Sequence, residues 1–361
     1  MNASSGLNPG IAFWLDASEQ GRCVGATCRC ARGSLMAGFF GLALPGVSVT
    51  LVTLPTGCQG ELRAELCVFI SHARKRKQLV EIIGVYNFKG GVGKTTTAVN
   101  LAYRSAADDW PTALWDLDPQ GAATYLLRRE RQATGAAKEL IRGEAALRDA
   151  VVATEHARLD LIPADFSYRR MDVHLDKRQD ATTLLLKLMR PLQAKYACLI
   201  LDCPPGMSLV SENVMHAADA LVVPLVPTPL SARMLAQLFE FIAARGWHDI
   251  NVLPFFSMVD RRRALHKQTI VELRERFPAI LATEVSYGSE FERMTARRAP
   301  IESYAPASAA AETYRALWRE IDERLTSLSN ARAVRRAVGG ETGEVAAESD
   351  LVGSPWSAGR A

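Results

Sequence analysis

The chain has 361 residues, 48% of them hydrophobic and 23% charged, with a formal net charge of +4. This is the composition of a soluble globular protein, long enough for one large domain or two small ones. Residues 1–78 hold eight of the 43 Lys/Arg and four of the 39 Asp/Glu, which leaves 35 of each beyond them. Bulk charge is therefore excluded as a source of nucleic-acid affinity in the larger part, where only local clusters could supply it.

Residues 1–78 differ from the rest. Five of the seven cysteines lie here, Cys23, Cys28, Cys30, Cys58 and Cys67. Their C-x4-C-x-C spacing does not match a zinc site, and no histidine pair accompanies it. The stretch Ser34 to Pro55 is uncharged and long enough to span a bilayer, but it contains Gly38, Gly41, Pro45 and Gly46. The first twenty positions lack basic residues and carry Asp16 and Glu19, unlike a signal peptide. No amphipathic period supports a helix-turn-helix domain. Three readings stay open for 1–78: a poorly ordered or misassigned upstream extension, a membrane anchor, or a small accessory domain. Arg74-Lys75-Arg76-Lys77 reads as a solvated basic linker, with a DNA or lipid contact as the alternative.

From 79 onward apolar runs alternate with helical patterns. Strands are predicted near 81–87, 112–117, 158–163, 197–202, 219–226 and 251–257. Helices are predicted over 94–107, 135–152, 181–194, 231–245, 265–276 and 308–328. The alternation predicts an α/β fold, a doubly wound, mostly parallel sheet with helices on both faces. Glycines and scattered charges from 331 to 361 predict a disordered tail. The expected domain between these ends spans 79–330.

Three segments carry chemistry. The first is Lys89-Gly90-Gly91-Val92-Gly93-Lys94-Thr95-Thr96-Thr97, directly after the apolar run Ile82 to Tyr86. Glycines let successive backbone N–H groups turn inward, and the following helix adds its positive end, so the segment suits a triphosphate. Lys94 would reach the β- and γ-phosphates, and the Thr95 hydroxyl would face Mg²⁺. The strict G-x-x-x-x-G-K-[ST] pattern is not met, because Phe88 stands where its first glycine would fall. The alternative is a Gly-rich turn with no ligand.

The second segment is Asp116-Leu117-Asp118-Pro119-Gln120-Gly121, at the end of a short apolar strand. Acids at the carboxyl ends of parallel strands can orient water or hold a metal. The alternative is an Asp-Pro turn capping the next helix. The third is Cys198-Leu199-Ile200-Leu201-Asp202-Cys203-Pro204-Pro205-Gly206, a buried strand ending in an acid. Cys198 and Cys203 read as reduced packing residues.

The K-G-G-x-G-K-[ST] loop resembles the deviant Walker A loop of the ParA/MinD superfamily of P-loop ATPases. D-x-D-P-Q-G and D-x-P-P-G resemble the same superfamily, as do Ala220 to Thr228 and the stretch from Ile301 to Tyr314. The resemblance spans about 80 to 328. It implies ATP and Mg²⁺ as cofactors, held by Lys89, Gly90, Gly91, Val92, Gly93, Lys94, Thr95 and Thr96. Lys89 would act in trans across an ATP-dependent homodimer and Lys94 in cis. Asp118 would position the attacking water, with Thr95, Asp116 and Asp202 around the metal.

The family's base site would fall near Ser257-Met258 and the turn before the closing helix. Non-specific DNA binding is implied, for which two basic clusters qualify. One is Arg261, Arg262, Arg263 and Lys267, and the other Arg293, Arg297 and Arg298. The implied function is ATP-driven positioning or segregation of plasmid or chromosome cargo in the cytoplasm, on the nucleoid, with a cargo-bound partner speeding hydrolysis. No membrane contact is expected from the C-terminus. Three alternatives remain: a polysaccharide or chemoreceptor cargo, a nucleotide-gated scaffold with little turnover, or a metabolic or redox relative.

Overall fold

The computed structural model describes residues 81–127, 137–143, 145–247 and 250–339, with the backbone alone at 137–138 and 328–339. It also describes a two-residue ladder in which β1 (Ala43–Leu44) pairs antiparallel with β2 (Val47–Ser48). The chain divides into two units, Met1–Lys77 and Gln78–Ala361. The five N-terminal cysteines, the basic linker and most of the Ser34 to Pro55 stretch lie outside the described residues.

The second unit carries β3 (Glu81–Val85), β4 (Thr112–Asp116), β5 (Val152–Ala153), β6 (Leu159–Ile162), β7 (Cys198–Asp202), β8 (Ala220–Leu225), β9 (Asn251–Val259) and β10 (Glu284–Ser286). They form one sheet in the order β10-β9-β8-β3-β7-β4-β6-β5. Every pair is parallel except β5 with β6. Around it lie α1 (Lys94–Ala107), α2 (Ala122–Leu127), α3 (Ala137–Arg142), α4 (Met171–Leu175), α5 (Leu184–Met189), α6 (Leu209–Ala217), α7 (Pro229–Ala244), α8 (Ala264–Arg276), α9 (Ser289–Arg297), α10 (Ile301–Tyr304) and α11 (Ala309–Gly339).

The central strands are apolar throughout because both of their faces are covered. Every residue of β4, β7 and β8 is buried. Successive side chains alternate between two cores. Ile82, Tyr86, Trp115 and Leu201 pack with Leu185 of α5, Val214 of α6 and Leu238 of α7. Ile83, Val85, Leu114, Ile200 and Val222 pack with Leu101 of α1 and Leu317, Trp318 and Ile321 of α11. The chain leaves β3 toward β4 on one side and later passes to β8 on the other. The carboxyl end of β3 therefore opens at the switch point where ligands of such sheets bind.

The fold class is the expected one, and several elements differ from the sequence expectation. The helix predicted over 135–152 is short. It stops at Arg142, where Gly143 takes φ 74, and the chain continues as a 3-10 turn (Leu147–Ala150) and the edge strand β5. The helix predicted over 181–194 is α5 followed by a 3-10 turn, Arg190–Ala194, because Pro191 has no N–H for the α-helical ladder. The last helix runs past 330 to Gly339, carried by Ala331, Arg332, Ala333, Arg335, Arg336 and Ala337, all strong helix formers. Residues 340–361 of the expected tail lie outside the described residues.

Gly84 sits where β3 meets α6. A Cβ there would lie 2.7 Å from Val214 Cγ1 and 3.0 Å from Leu221 Cδ1, both in the packed core. Gly84→Ala is expected to cost about 1–3 kcal/mol by overpacking. A lowered urea midpoint at unchanged slope would show it, and an unchanged midpoint would contradict the packing described.

Candidate functional site

The loop from Lys89 to Gly93 joins β3 to α1. Gly91 and Gly93 take φ 70 and 89, a region open to glycine, so the chain can curl over the end of the strand. Gly93 caps α1 without any side-chain hydrogen bond, and no acid stands in the first turn. The positive helix end is thus left for an anion.

The two lysines of the loop part company. Lys94 is 7% exposed, and its Nζ donates to the Lys89 carbonyl at 2.8 Å. Burial lowers its pKa, against the pull of Asp202 and Asp118. Lys89 is exposed, and its ammonium enters no ion pair among the described residues. Its main chain is held instead, since its N–H donates to Asn87 Oδ1 at 2.9 Å.

Opposite Lys94 stand two acids. Asp116 ends β4 and Asp202 ends β7, and the strand register sets them side by side. Both are fully buried. Asp116 accepts from the Thr124 N–H at 2.7 Å, the Thr124 hydroxyl at 2.8 Å and the Asp118 N–H at 3.2 Å. Burial pushes its carboxyl up to about 6, and these bonds restrain the rise. Among the described residues neither oxygen of Asp202 has a partner in full hydrogen-bond geometry, although the Thr95 hydroxyl lies close enough to act on it. Burial and then the neighbouring Asp116 push its carboxyl well above the usual range, while the Thr95 side chain draws it down. Asp118 is half-buried beside them, and its Oδ1 accepts the Gln120 N–H at 2.9 Å, closing the Asp-Pro turn. An orphaned buried carboxylate, a second acid and the Thr95 hydroxyl form a hard oxygen donor set of the kind magnesium takes.

Two further features surround the loop. The Tyr86 hydroxyl donates to the Gly206 carbonyl at 3.1 Å and the Gly206 N–H to the Phe88 carbonyl at 2.9 Å, which ties the turn after Asp202 to the loop. Beside Gly93 and Thr96 lies a cavity of about 70 Å³ lined by Ser257, Met258, Tyr287, Phe291 and Tyr314. Met258 there has φ 55. The sequence marked Ser257 and Met258 but missed Tyr287, Phe291 and Tyr314, which reach the same cavity only through the fold.

The two basic clusters are placed differently. Arg261 pairs with Glu284 at 2.7 Å, and Arg262 binds Asp260 through two nitrogens at 3.0 and 3.2 Å. Arg263 and Lys267 are exposed and enter no salt bridge among the described residues. Arg293 donates to Ser289 Oγ at 3.3 Å. Arg297 lies over Tyr304, and Arg298, with φ 50, lies 4.1 Å over the ring of Tyr125. This second cluster is fastened to α1. Met294 is buried against Asn100, the Ile301 N–H donates to Asn100 Oδ1 at 2.9 Å, and Arg104 pairs with Glu302 at 2.9 Å.

The burial of these acids has a measurable consequence. Asp116 titrates higher in the fold than the 3.8 of an ordinary aspartate, so its proton contributes stability below that value which is lost as pH rises through about 6. Removing one charge relieves the pair. Ligand-free Asp202→Asn is expected to melt above wild type near neutral pH, with the gap closing on acidification as wild type takes up protons. A variant that melts below wild type at neutral pH would contradict the picture of two strained acids.

Comparison with known proteins agrees with this architecture. Residues 80–247 match the AAA domain family. The chromosome partitioning protein ParA of Myxococcus xanthus is 32% identical over 259 residues, covering 70% of this chain and 92% of that protein. The sporulation initiation inhibitor protein Soj of Bacillus subtilis is 30% identical, covering 67% of this chain and 98% of that protein. Cobyrinic acid a,c-diamide synthase of Mycobacterium smegmatis, solved with bound ADP and magnesium, shares the fold. Its TM-score is 0.57 at 22% identity, over 73% of this chain and 97% of that one. Among the described residues no helix is long and apolar enough to cross a membrane. With its K-G-G-x-G-K-T loop set over the paired acids of β4 and β7, the chain belongs to the ParA family of P-loop partition ATPases.

Proposed function

We propose that residues 79–330 form an ATPase that dimerises around ATP, binds DNA without sequence preference as the dimer, and releases it on hydrolysis to position cargo on the nucleoid. One observation carries this reading. Of two lysines five residues apart in one loop, Lys94 turns inward over the acids, and Lys89 stands exposed with its main chain fixed. A lysine held in that way is presented to something outside its own subunit.

In this reading the loop amides from Gly90 to Thr96 and Lys94 hold the phosphates, and Lys89 reaches the nucleotide of the other subunit. Thr95 and Asp202 would hold magnesium, with Asp116 behind them already engaged by Thr124. The ion would neutralise phosphate charge. Asp118 orients the attacking water. The base would lie toward the cavity lined by Ser257, Met258 and Tyr287. The two ADP-binding and partition relatives support the nucleotide and the cargo class respectively, each by what its own name states. A cargo-bound partner protein completes the cycle by accelerating hydrolysis.

For DNA, the second cluster is the better supported of the two. Arg293, Arg297 and Arg298 sit on a segment bonded to the helix that starts at the phosphate loop. Arg261 and Arg262 are already paired with acids, which leaves Arg263 and Lys267 to contribute from the first.

Lys89→Ala is expected to keep ATP binding and lose the ATP-dependent dimer, whereas Lys94→Ala loses nucleotide binding itself. Normal dimerisation of Lys89→Ala would remove the trans role. Asp118→Ala is expected to bind ATP and DNA and to stall there, and normal turnover in that variant would refute its water-positioning role. DNA affinity is expected only with ATP and to fall about 10³-fold between 50 and 200 mM salt for roughly six phosphate contacts. A flat salt response would rule out nucleoid binding through these arginines.

A further inference from the structure

We infer that Asn87 is a positioning residue for Lys89: its amide sets the main chain from which that lysine reaches the partner's nucleotide. The inference rests on the trans role proposed for Lys89.

β3 and β8 run parallel, with Ile83 opposite Ala220 and Val85 opposite Val222. The ladder continues one bond beyond β3, the Tyr86 N–H donating to the Val222 carbonyl at 3.0 Å. The next bond in such a ladder would run from the Phe88 N–H to the Pro224 carbonyl. There the chain peels away into the phosphate loop, and the Asn87 side chain takes over. Its Nδ2 donates to the Pro224 carbonyl at 2.7 Å, and its Oδ1 accepts the Lys89 N–H at 2.9 Å.

Asn87 is 4% exposed, so neither bond is exchanged freely with water. The carbonyl of Lys89 is held in turn by Lys94 Nζ. The peptide groups on both sides of Lys89 are therefore anchored, one through Asn87 to the sheet and one through Lys94 to the phosphate site. Only its side chain is free to move. The residue also needs a donor and an acceptor on one short planar group. Alanine supplies neither, aspartate lacks the donor, and serine keeps an acceptor able to close a similar turn.

A residue that only stabilises the loop would weaken nucleotide binding and dimerisation together. A residue that positions Lys89 separates them, because Lys94 and the loop amides hold the nucleotide within one subunit. The test uses the full chain as wild type, Asn87→Ala, Asn87→Ser and Lys89→Ala. A fluorescent ATP analogue reads nucleotide affinity, and sedimentation in ATP and magnesium reads the dimer.

Asn87→Ala is expected to keep nucleotide affinity within a few-fold of wild type and to dimerise about tenfold more weakly or worse, as losing a buried hydrogen-bond pair implies. Asn87→Ser is expected to recover part of the dimer. If Lys89→Ala dimerises like wild type, the trans role itself fails. If Lys89→Ala loses the dimer while the Asn87 variants keep it, the positioning role of Asn87 is overturned. An equal loss of nucleotide affinity and dimerisation in the Asn87 variants overturns it as well. Should Asn87→Ala fail to fold, Asn87→Ser is judged by the same criteria.

Discussion

Two carboxylates side by side in a dry interior repel each other, and the site is organised around that repulsion. Strand register brings Asp116 and Asp202 together at the ends of β4 and β7. Thr124 and the Asp118 amide satisfy Asp116, but among the described residues Asp202 has no comparable set of hydrogen bonds. Burying a carboxylate without a full set of partners is costly, so such groups are rare in folded proteins, and burial here pushes the Asp202 carboxyl upward. The buried Lys94 ammonium and the Thr95 hydroxyl both draw the Asp202 carboxyl down against that rise. On the proposed reading, magnesium and phosphates would complete this set, the ion offering positive charge to Asp202 and the phosphates negative charge to Lys94.

That tension explains why the loop is so firmly tied. Lys94 bonds the Lys89 carbonyl, Asn87 bonds the Lys89 N–H, and Tyr86 with Phe88 holds the turn after Asp202. The same constraints separate the two lysines, burying one and exposing the other. From α1 a second set of bonds runs outward through Asn100 and Arg104 to Ile301 and Glu302, next to the arginines of α9. The glycine loop and a basic surface are thus linked by packed side chains and by rigid elements rather than by a long loop.

Much of this was legible in the sequence for specific reasons. The central strands are buried on both faces, so each appears as an unbroken apolar run such as Cys198 to Leu201. The phosphate loop and both acids lie in short contiguous motifs whose chemistry needs no tertiary information. The edge strands β5 and β10 were not visible, since two or three residues are too few to carry a period. α6 was missed because it is a nine-residue connection between strands, although its Ser208–Ser211 capping box was a readable start. Thr124 carried no signal at all, for only the turn after Asp118 brings it back to Asp116. Asn87 was missed as well, although a lone amide between an apolar strand and a glycine loop is a visible signal.

The proposed cycle depends on one subunit supplying a lysine to the nucleotide of the other. Mixing two variants that are each inactive tests this most directly. A Lys89→Ala subunit can hold ATP but cannot serve its partner, and a Lys94→Ala subunit cannot hold ATP but still offers Lys89. If the lysine acts in trans, the mixture forms an ATP-dependent heterodimer with one complete site and recovers part of the hydrolysis that neither variant shows alone. If the mixture remains as inactive and as monomeric as its components, Lys89 does not cross between subunits and the account is wrong.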